Sequence, residues 1–342
     1  MLTCCLSMLE KPNLPEDLIL ARVREEFGLP ADRVTFLPLG YDLNTAVYRV
    51  LADDGTAYFL KLRKGDFAEI SVALPQFLKA QGVQAIIAPL ETKAHQFWGS
   101  LGEYKMILYP FIEGENGYAL ALTLIQWRDF GAALQGIHRA QLSPELRQLI
   151  PVEIYSPHWR EAVRRFQVQV KQTQFSEPVA AKLAAFMRVR RNKIGQVVGR
   201  ADQLGRVLQS RSPELVLCHA DIHPGNLHIN SDGPIYIVDW DNPILAPRER
   251  DLALVGGSPN SGWDTADAQA AFYQGYGPTR VDRLALAYYR YERIVVDMAE
   301  FCKQLLLTDE GGDDREQGYQ YFASNFLPGH EIDLAVKIDP IL

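Results

Sequence analysis

The sequence predicts an α+β chain in two parts, a small β-rich N-terminal lobe followed by a larger, mainly helical C-terminal lobe. Three observations lead there. Strand-like runs separated by turn residues crowd positions 34 to 62, apolar residues recur at helical spacing from about Leu120 onward, and one compact block of short strands interrupts the helical half at 213 to 241. With 342 residues and 47% hydrophobic content, the chain can bury a large core and divide into two lobes. The expected boundaries are an N-terminal extension at 1–12, disordered; the first lobe at 13–109; a hinge at 110–114; and the second lobe at 115–342.

Taken in order, the acidic turn PED at 15–17 opens a helix whose Ile19, Val23 and Phe27 share one face, and Gly28 stops it. Strands are expected at Val34–Leu39, Ala46–Leu51 and Ala57–Leu62, with DDGT at 53–56 closing a tight hairpin between the last two. Between the first two lies GYDLNT, 40–45, whose single glycine, Gly40, fits either a generic β-turn or a loop of backbone amides over phosphates. Lys61 sits in FLKLR among Phe59, Leu60 and Leu62, so a partly buried ammonium needs an anionic partner. Arg63 and Lys64 read as sheet-edge cations. The carboxylate expected to orient the ammonium is Glu69, with Asp66 a near neighbour, on a helix that Pro75 should interrupt.

YKMILYPFIEG, 104–114, begins as a buried strand and turns at Pro110 and Gly114. An extended hinge there offers a carbonyl at Pro110 and both backbone groups at Ile112, enough to hold a purine. Trp127, Phe130, Leu134 and Ile137 form an ordinary helical core stripe. Ser156 and Pro157 start a helix that turns Trp159 and Phe166 inward. Over 178–210, Leu183, Met187, Ile194, Val197, Ala201, Leu204 and Leu208 follow steps of about four and three as in a coiled-coil seam, with Arg190 interrupting. Packing within the lobe is expected to use this seam, with a dimer as the alternative and a monomer favoured.

Composition narrows the classes. No run approaches a membrane span, and MLTCCLSMLEKP lacks the basic start and apolar centre of a signal peptide, with Met8 the effective start. Cys4, Cys5, Cys218 and Cys302 have no metal-ligand spacing, so a reducing cytoplasm is expected. The net charge of −7 argues against nucleic acid and suits a cationic small substrate.

The chemistry concentrates in HADIHPGN, 219–226, and IYIVDWD, 235–241. Pro213–Cys218, Leu227–Asn230 and Ile235–Val238 read as strands, the last two joined by SDGP at 231–234. A hairpin would put Asn226 at the start of one strand and Asp239 just past the end of its antiparallel partner, so both reach the same end. Pro224 and Gly225 bend the segment that carries Asp221. This set matches the division of labour in kinase active sites: Asp221 accepts a hydroxyl proton, Asn226 and Asp239 hold Mg²⁺ against the phosphates of ATP, and Lys61, oriented by Glu69, binds the α- and β-phosphates. His219 reads as a brace within the loop. His223 stays open between a polar supporting role and a contact to phosphate or acceptor.

Five blocks carry a resemblance beyond spacing: EIYSPHWRE at 153–161, VLCHADIHPGN at 216–226, IYIVDWDNPILAPRERDL at 235–252, FYQGYG at 272–277 and YYRYERIVVDMA at 288–299. With them the chain resembles the aminoglycoside phosphotransferase and choline kinase-like superfamily over nearly its whole length after Met8, and within it the members that modify spectinomycin. The resemblance implies a bilobal protein-kinase-like fold with the nucleotide in the cleft, nucleotide binding by the first lobe, and catalysis and acceptor binding by the second. It implies ATP-dependent transfer of the γ-phosphoryl group to a hydroxyl of an aminocyclitol antibiotic, with Asp221 catalytic, Asn226 and Asp239 on Mg²⁺, Lys61 on phosphate and Asp251 bracing the catalytic loop. For a cationic acceptor the candidate contacts are Asp241, Trp263, Asp264, Glu292 and Asp297, while Arg293 reads as part of an ordinary salt-bridged helix face with Glu292. The loop at 256–266 is expected to face the acceptor. Two other functions fit the same residues: a metabolic kinase for choline, methylthioribose or homoserine, and a nucleotide-binding regulator without turnover.

Overall fold

The computed structural model describes residues 11–39, 44–230, 233–257, 262–263, 265–309, 311–312 and 314–340. Gly40 and Asp264, and nearly all of the expected N-terminal extension, lie outside them. The chain forms two compact units, one of Met1–Pro151 with His223–Pro243 and one of Val152–Ile222 with Ile244–Leu342.

The first unit opens with α1 (Glu16–Phe27), which ends at Gly28 because that residue adopts φ +70 and bonds back to Arg24. Strands β1 (Ala31–Leu37), β2 (Thr45–Ala52) and β3 (Ala57–Lys64) follow, then α2 (Ile70–Ala80), β4 (Gly99–Leu101) and β5 (Tyr104–Pro110). They build an antiparallel sheet in the order β1-β2-β3-β5-β4. Its alternation is clean on β3, where Leu60 and Leu62 are fully buried in a core shared with Ile19, Val23, Tyr48, Val50, Met106 and Leu108. Lys61, between them, therefore projects from the opposite face. The expected tight hairpin is present, with Ala52 N bonded to Thr56 O and Gly55 at φ +84.

Pro75 does not interrupt α2, contrary to the sequence expectation. The helix starts directly after Glu69, so the proline removes a single backbone bond in an element whose Ile70, Val72, Leu74 and Leu78 are all buried. That apolar burial outweighs the local penalty. The unit continues through β6 (Glu115–Asn116), α3 (Leu124–His138) and α4 (Pro144–Leu149). Thr123 and Gln126 cap α3 reciprocally, and Trp127, Phe130, Leu134 and Ile137 are buried as their spacing implies.

The second unit begins with α5 (His158–Gln172), α6 (Pro178–Val189) and α7 (Arg191–Gln209), then β7 (Val216–Cys218). The seam residues from Leu183 to Leu208 are all buried in one helical core, but on two helices parted at Arg190. The chain returns to the first unit with β8 (Leu227–Ile229) and β9 (Ile235–Ile237), which pair antiparallel with Leu227 opposite Ile237. Back in the second unit, β10 (Ile244–Ala246) pairs with β7. The helices α8 (Glu249–Leu252), α9 (Ala266–Tyr276), α10 (Arg283–Leu307), α11 (Asp314–Ser324) and α12 (Glu331–Ile338) complete it. Fifteen residues of α10 are buried, which makes it the central rod of this unit. Among the described residues no helix is long and apolar enough to cross a membrane.

Candidate functional site

In the first unit, the β8–β9 hairpin carries two of the sequence-expected metal ligands. Val238 N donates to Asn226 O at 3.0 Å, so the backbone that leads into β8 lies against the backbone that leaves β9. Asn226 ends a short 3₁₀ turn, Pro224–Asn226, that His223 caps by accepting from Gly225 N at 3.0 Å. A side chain at Gly225 would collide with the His223 ring, and one at Gly117 would meet the Pro224 carbonyl, so both glycines permit the turn to pack. Asp239 adopts φ +66, a left-handed conformation that ends β9 sharply.

Lys61 reaches two carboxylates in this unit, Asp239 at 3.0 Å and Asp241 at 2.9 Å, and Arg63 adds a second cation against Asp241. Two positive and two negative charges thus balance. The ammonium is only 13% exposed, and although burial opposes its charge, Asp239 and then Asp241 outweigh it and raise its pKa. Burial, reinforced by the charge of Asp239, raises the Asp241 carboxyl against the opposing pull of Lys61 and Arg63. Burial likewise raises the neighbouring Tyr109 phenol. Glu69 is exposed at the start of α2, and among the described residues the ion-pair partners of Lys61 are Asp239 and Asp241.

The hinge segment is tied down from two sides. His228 Nε2 lies 2.9 Å from the Ile112 carbonyl, and Arg49 of β2 sits over the Phe111 ring and 3.1 Å from Glu113. Pro110 closes β5 opposite Tyr58. Ile112 therefore has its carbonyl engaged, which sequence alone did not suggest.

In the second unit, the loop of Asp221 is fixed by its backbone. Asp251, 1% exposed on α8, accepts from His219 N at 2.8 Å and from Ala220 N at 2.7 Å. His219, fully buried, accepts from Asp221 N through Nδ1 at 3.3 Å, and Ala220 takes the left-handed φ of +71. The Asp221 carboxylate is ion-paired with Arg293, whose Nε also contacts Asp297 at 2.9 Å. The remaining acceptor candidates diverge. Glu292 points into the core and pairs with Arg160 at 2.5 Å, while burial, only partly offset by Arg160, pushes its carboxyl up to about 7. Trp263 is fully buried, with its carbonyl bonded to Gly256 N at 2.8 Å.

Sequence reasoning missed Arg293, Arg63 and His228 as partners of the candidate residues. For Arg63 a signal existed, since strand alternation puts it on the same face as Lys61. For Arg293 and His228 none did, because their partners lie 72 and 116 positions away.

Asp239, beside the Lys61 ammonium and just past the strand whose backbone meets Asn226, offers with that turn the hard oxygen that a divalent metal with bound phosphates requires. The carboxylate of Asp221 meets a guanidinium, a geometry that suits a group able to orient a hydroxyl.

A spectinomycin phosphotransferase crystallised with ADP and spectinomycin is 32% identical, with 96% of this chain and 99% of that one covered at a TM-score of 0.89. The AMP complex of a spectinomycin phosphotransferase is also 32% identical, with 94% and 98% covered at a TM-score of 0.85. A choline kinase from Streptococcus pneumoniae, 14% identical with 94% and 98% covered, shares the fold at a TM-score of 0.57. Among curated proteins none matches. The fold is accordingly of the mixed α+β, kinase-like class, with a β-sheet N-terminal region and a helical C-terminal part. Residues 35–289 match the phosphotransferase enzyme family, and the chain belongs to that family.

Proposed function

We propose that this phosphotransferase moves the γ-phosphoryl group of ATP to a hydroxyl of a cationic aminocyclitol, with spectinomycin the first candidate. The observation that carries the proposal is the 32% identity and TM-score of 0.89, over 96% of the chain, to an enzyme crystallised with ADP and spectinomycin. Retention of Lys61, Asp221, Asn226 and Asp239 supports turnover rather than mere nucleotide binding.

In this reading Lys61 exchanges part of its pairing with Asp239 and Asp241 for the α- and β-phosphates. Mg²⁺ fits the donor set because Asp239 is partly exposed and, with Asn226 one hairpin rung away, offers oxygen rather than nitrogen or sulfur. When bound, the ion neutralises charge on the phosphates. The purine is held by hinge backbone, through the Pro110 carbonyl and the Ile112 N–H, since the Ile112 carbonyl already meets His228. Gly40 belongs to the loop proposed to cover the phosphates, and Glu69 remains a proposed secondary partner for the nucleotide side.

Asp221 orients the attacking hydroxyl and collects its proton. Because the transferred group passes through a loose transition state, that proton leaves late and orientation matters more than basicity. Backbone support from Asp251 and His219 keeps the loop in its left-handed turn. Asp241 and Asp297 are each kept as proposed acceptor contacts; Trp263 is fully buried, and Asp264 lies outside the described residues. Glu292, locked on Arg160, contributes through the core instead. The functional division proposed is a nucleotide lobe at 13–109, a hinge at 110–114 and a catalytic and acceptor lobe at 115–342. A cytoplasmic setting suits an ATP-consuming enzyme with Cys218 and Cys302 buried as free thiols.

The test is ADP release from Mg²⁺-ATP with spectinomycin, streptomycin, kanamycin, choline and methylthioribose as separate acceptors. Release with spectinomycin and none with choline or methylthioribose is the expected result. Release with choline or methylthioribose alone would overturn the acceptor assignment.

A further inference from the structure

Arg293 projects from α10 with its guanidinium divided between two carboxylates. One end is ion-paired with Oδ1 of Asp221, and Nε lies 2.9 Å from Oδ1 of Asp297, one helical turn further on. Its neighbours anchor the helix: Glu292 is paired with Arg160, and Ile294 and Val295 are buried. The guanidinium is therefore carried by a rigid element. Asp221, by contrast, sits in a loop whose backbone is fixed by Asp251 and His219, bonds that leave side-chain rotation to be settled elsewhere.

We propose that Arg293 is a positioning residue for Asp221, directing that carboxylate toward the acceptor hydroxyl, with Asp297 holding the guanidinium in register. The inference rests on the reading of Asp221 as the group that orients the attacking hydroxyl. With side chains 36% and 33% exposed, the Arg293–Asp221 pair adds little to folding stability, so its effect falls on the direction of the carboxylate. The fork of arginine fixes direction as well as charge, which the point charge of lysine does not. Sharing one guanidinium between two carboxylates also leaves the trio with a net negative charge, which favours a cationic acceptor over a neutral one.

The experiment compares Arg293→Gln, Arg293→Lys and Asp297→Asn with the wild type in steady-state transfer from Mg²⁺-ATP to spectinomycin, with melting midpoints as a folding control. For Arg293→Gln, kcat should fall about 10- to 100-fold, the penalty of a misdirected catalytic group, with the KM for ATP and the melting midpoint unchanged. Arg293→Lys should recover part of the loss, and Asp297→Asn should lose less than Arg293→Gln. A kcat for Arg293→Gln within about twofold of wild type, or a loss confined to the acceptor KM, overturns the proposal. If the wild type transfers nothing to spectinomycin, the acceptor assignment fails on its own. The comparison is then read on slow ATP hydrolysis, where water replaces the hydroxyl, and equal rates for wild type and Arg293→Gln overturn the positioning role.

Discussion

The two backbone hydrogen bonds that Asp251 accepts in the second unit set the magnitude of what its removal costs. Its two oxygens accept from His219 N at 2.8 Å and Ala220 N at 2.7 Å, at a site 1% exposed. Hydrogen bonds to a charged group contribute about 1.5–3 kcal/mol each, so Asp251→Ala, which orphans one buried and one half-buried donor, should destabilise by about 3–5 kcal/mol. In a unit of roughly 170 residues that corresponds to a fall in melting midpoint of about 10 °C. Ala220 sits at φ +71, a conformation that costs an alanine about 1–2 kcal/mol and persists because those bonds hold it. Once they are gone the turn relaxes and Asp221, the next residue, moves. At permissive temperature kcat should then fall about 100-fold beyond any loss of folded protein. Asp251→Asn, which keeps one acceptor, should lie between the two. The assays are calorimetric melting and transfer kinetics normalised to folded enzyme. An Asp251→Ala midpoint within about 2 °C of wild type would show that these two bonds do not hold the turn.

Three further outcomes are expected. Asp221→Asn should bind ATP as the wild type does while turnover falls about 10²- to 10⁴-fold, and near-normal turnover in a folded sample would exclude the catalytic role. Asp239→Ala should weaken Mg²⁺-dependent nucleotide binding in titration calorimetry, and unchanged affinity would count against its metal role. Glu292, with its carboxyl pushed up from the usual 4.5 to about 7, binds a proton more readily in the folded state than in the unfolded one. Stability from this group is therefore greatest below about pH 4.5 and is lost as pH rises toward 7, by roughly 3 kcal/mol at most. Melting midpoints across that window should slope downward with pH, and Glu292→Gln should flatten the slope. An identical slope in the variant would show that Glu292 titrates normally.

Local features were legible in the sequence where short-range rules dominate. Gly28 ends α1, DDGT closes the β2–β3 hairpin, and β8 and β9 pair in the register that sets Asn226 against the end of β9. Those outcomes depend on φ preferences and apolar alternation within a dozen residues. Pro75 misled because its local penalty was weighed without the four buried apolar residues that α2 brings to the core. Long-range pairing was less accessible. Glu69 lies eight residues after Lys61, whereas Asp239 and Asp241 lie 178 and 180 away, and proximity along the chain says nothing about which carboxylate the sheet will bring near the ammonium. Arg293 was read with its helical neighbour Glu292, but successive residues on a helix face different ways: Glu292 turns to the core and Arg293 to Asp221.

The proposed reaction is phosphoryl transfer to an aminocyclitol hydroxyl, with Asp221 orienting that hydroxyl. The most direct measurement is phosphorus NMR of the reaction of wild type and Asp221→Asn with Mg²⁺-ATP and spectinomycin, followed until ATP is consumed. The wild type should yield ADP and a phosphate monoester of spectinomycin in equal amounts, and the variant at most traces of either over the same time. ADP accompanied only by free inorganic phosphate, or an ester formed equally well by Asp221→Asn, would contradict it.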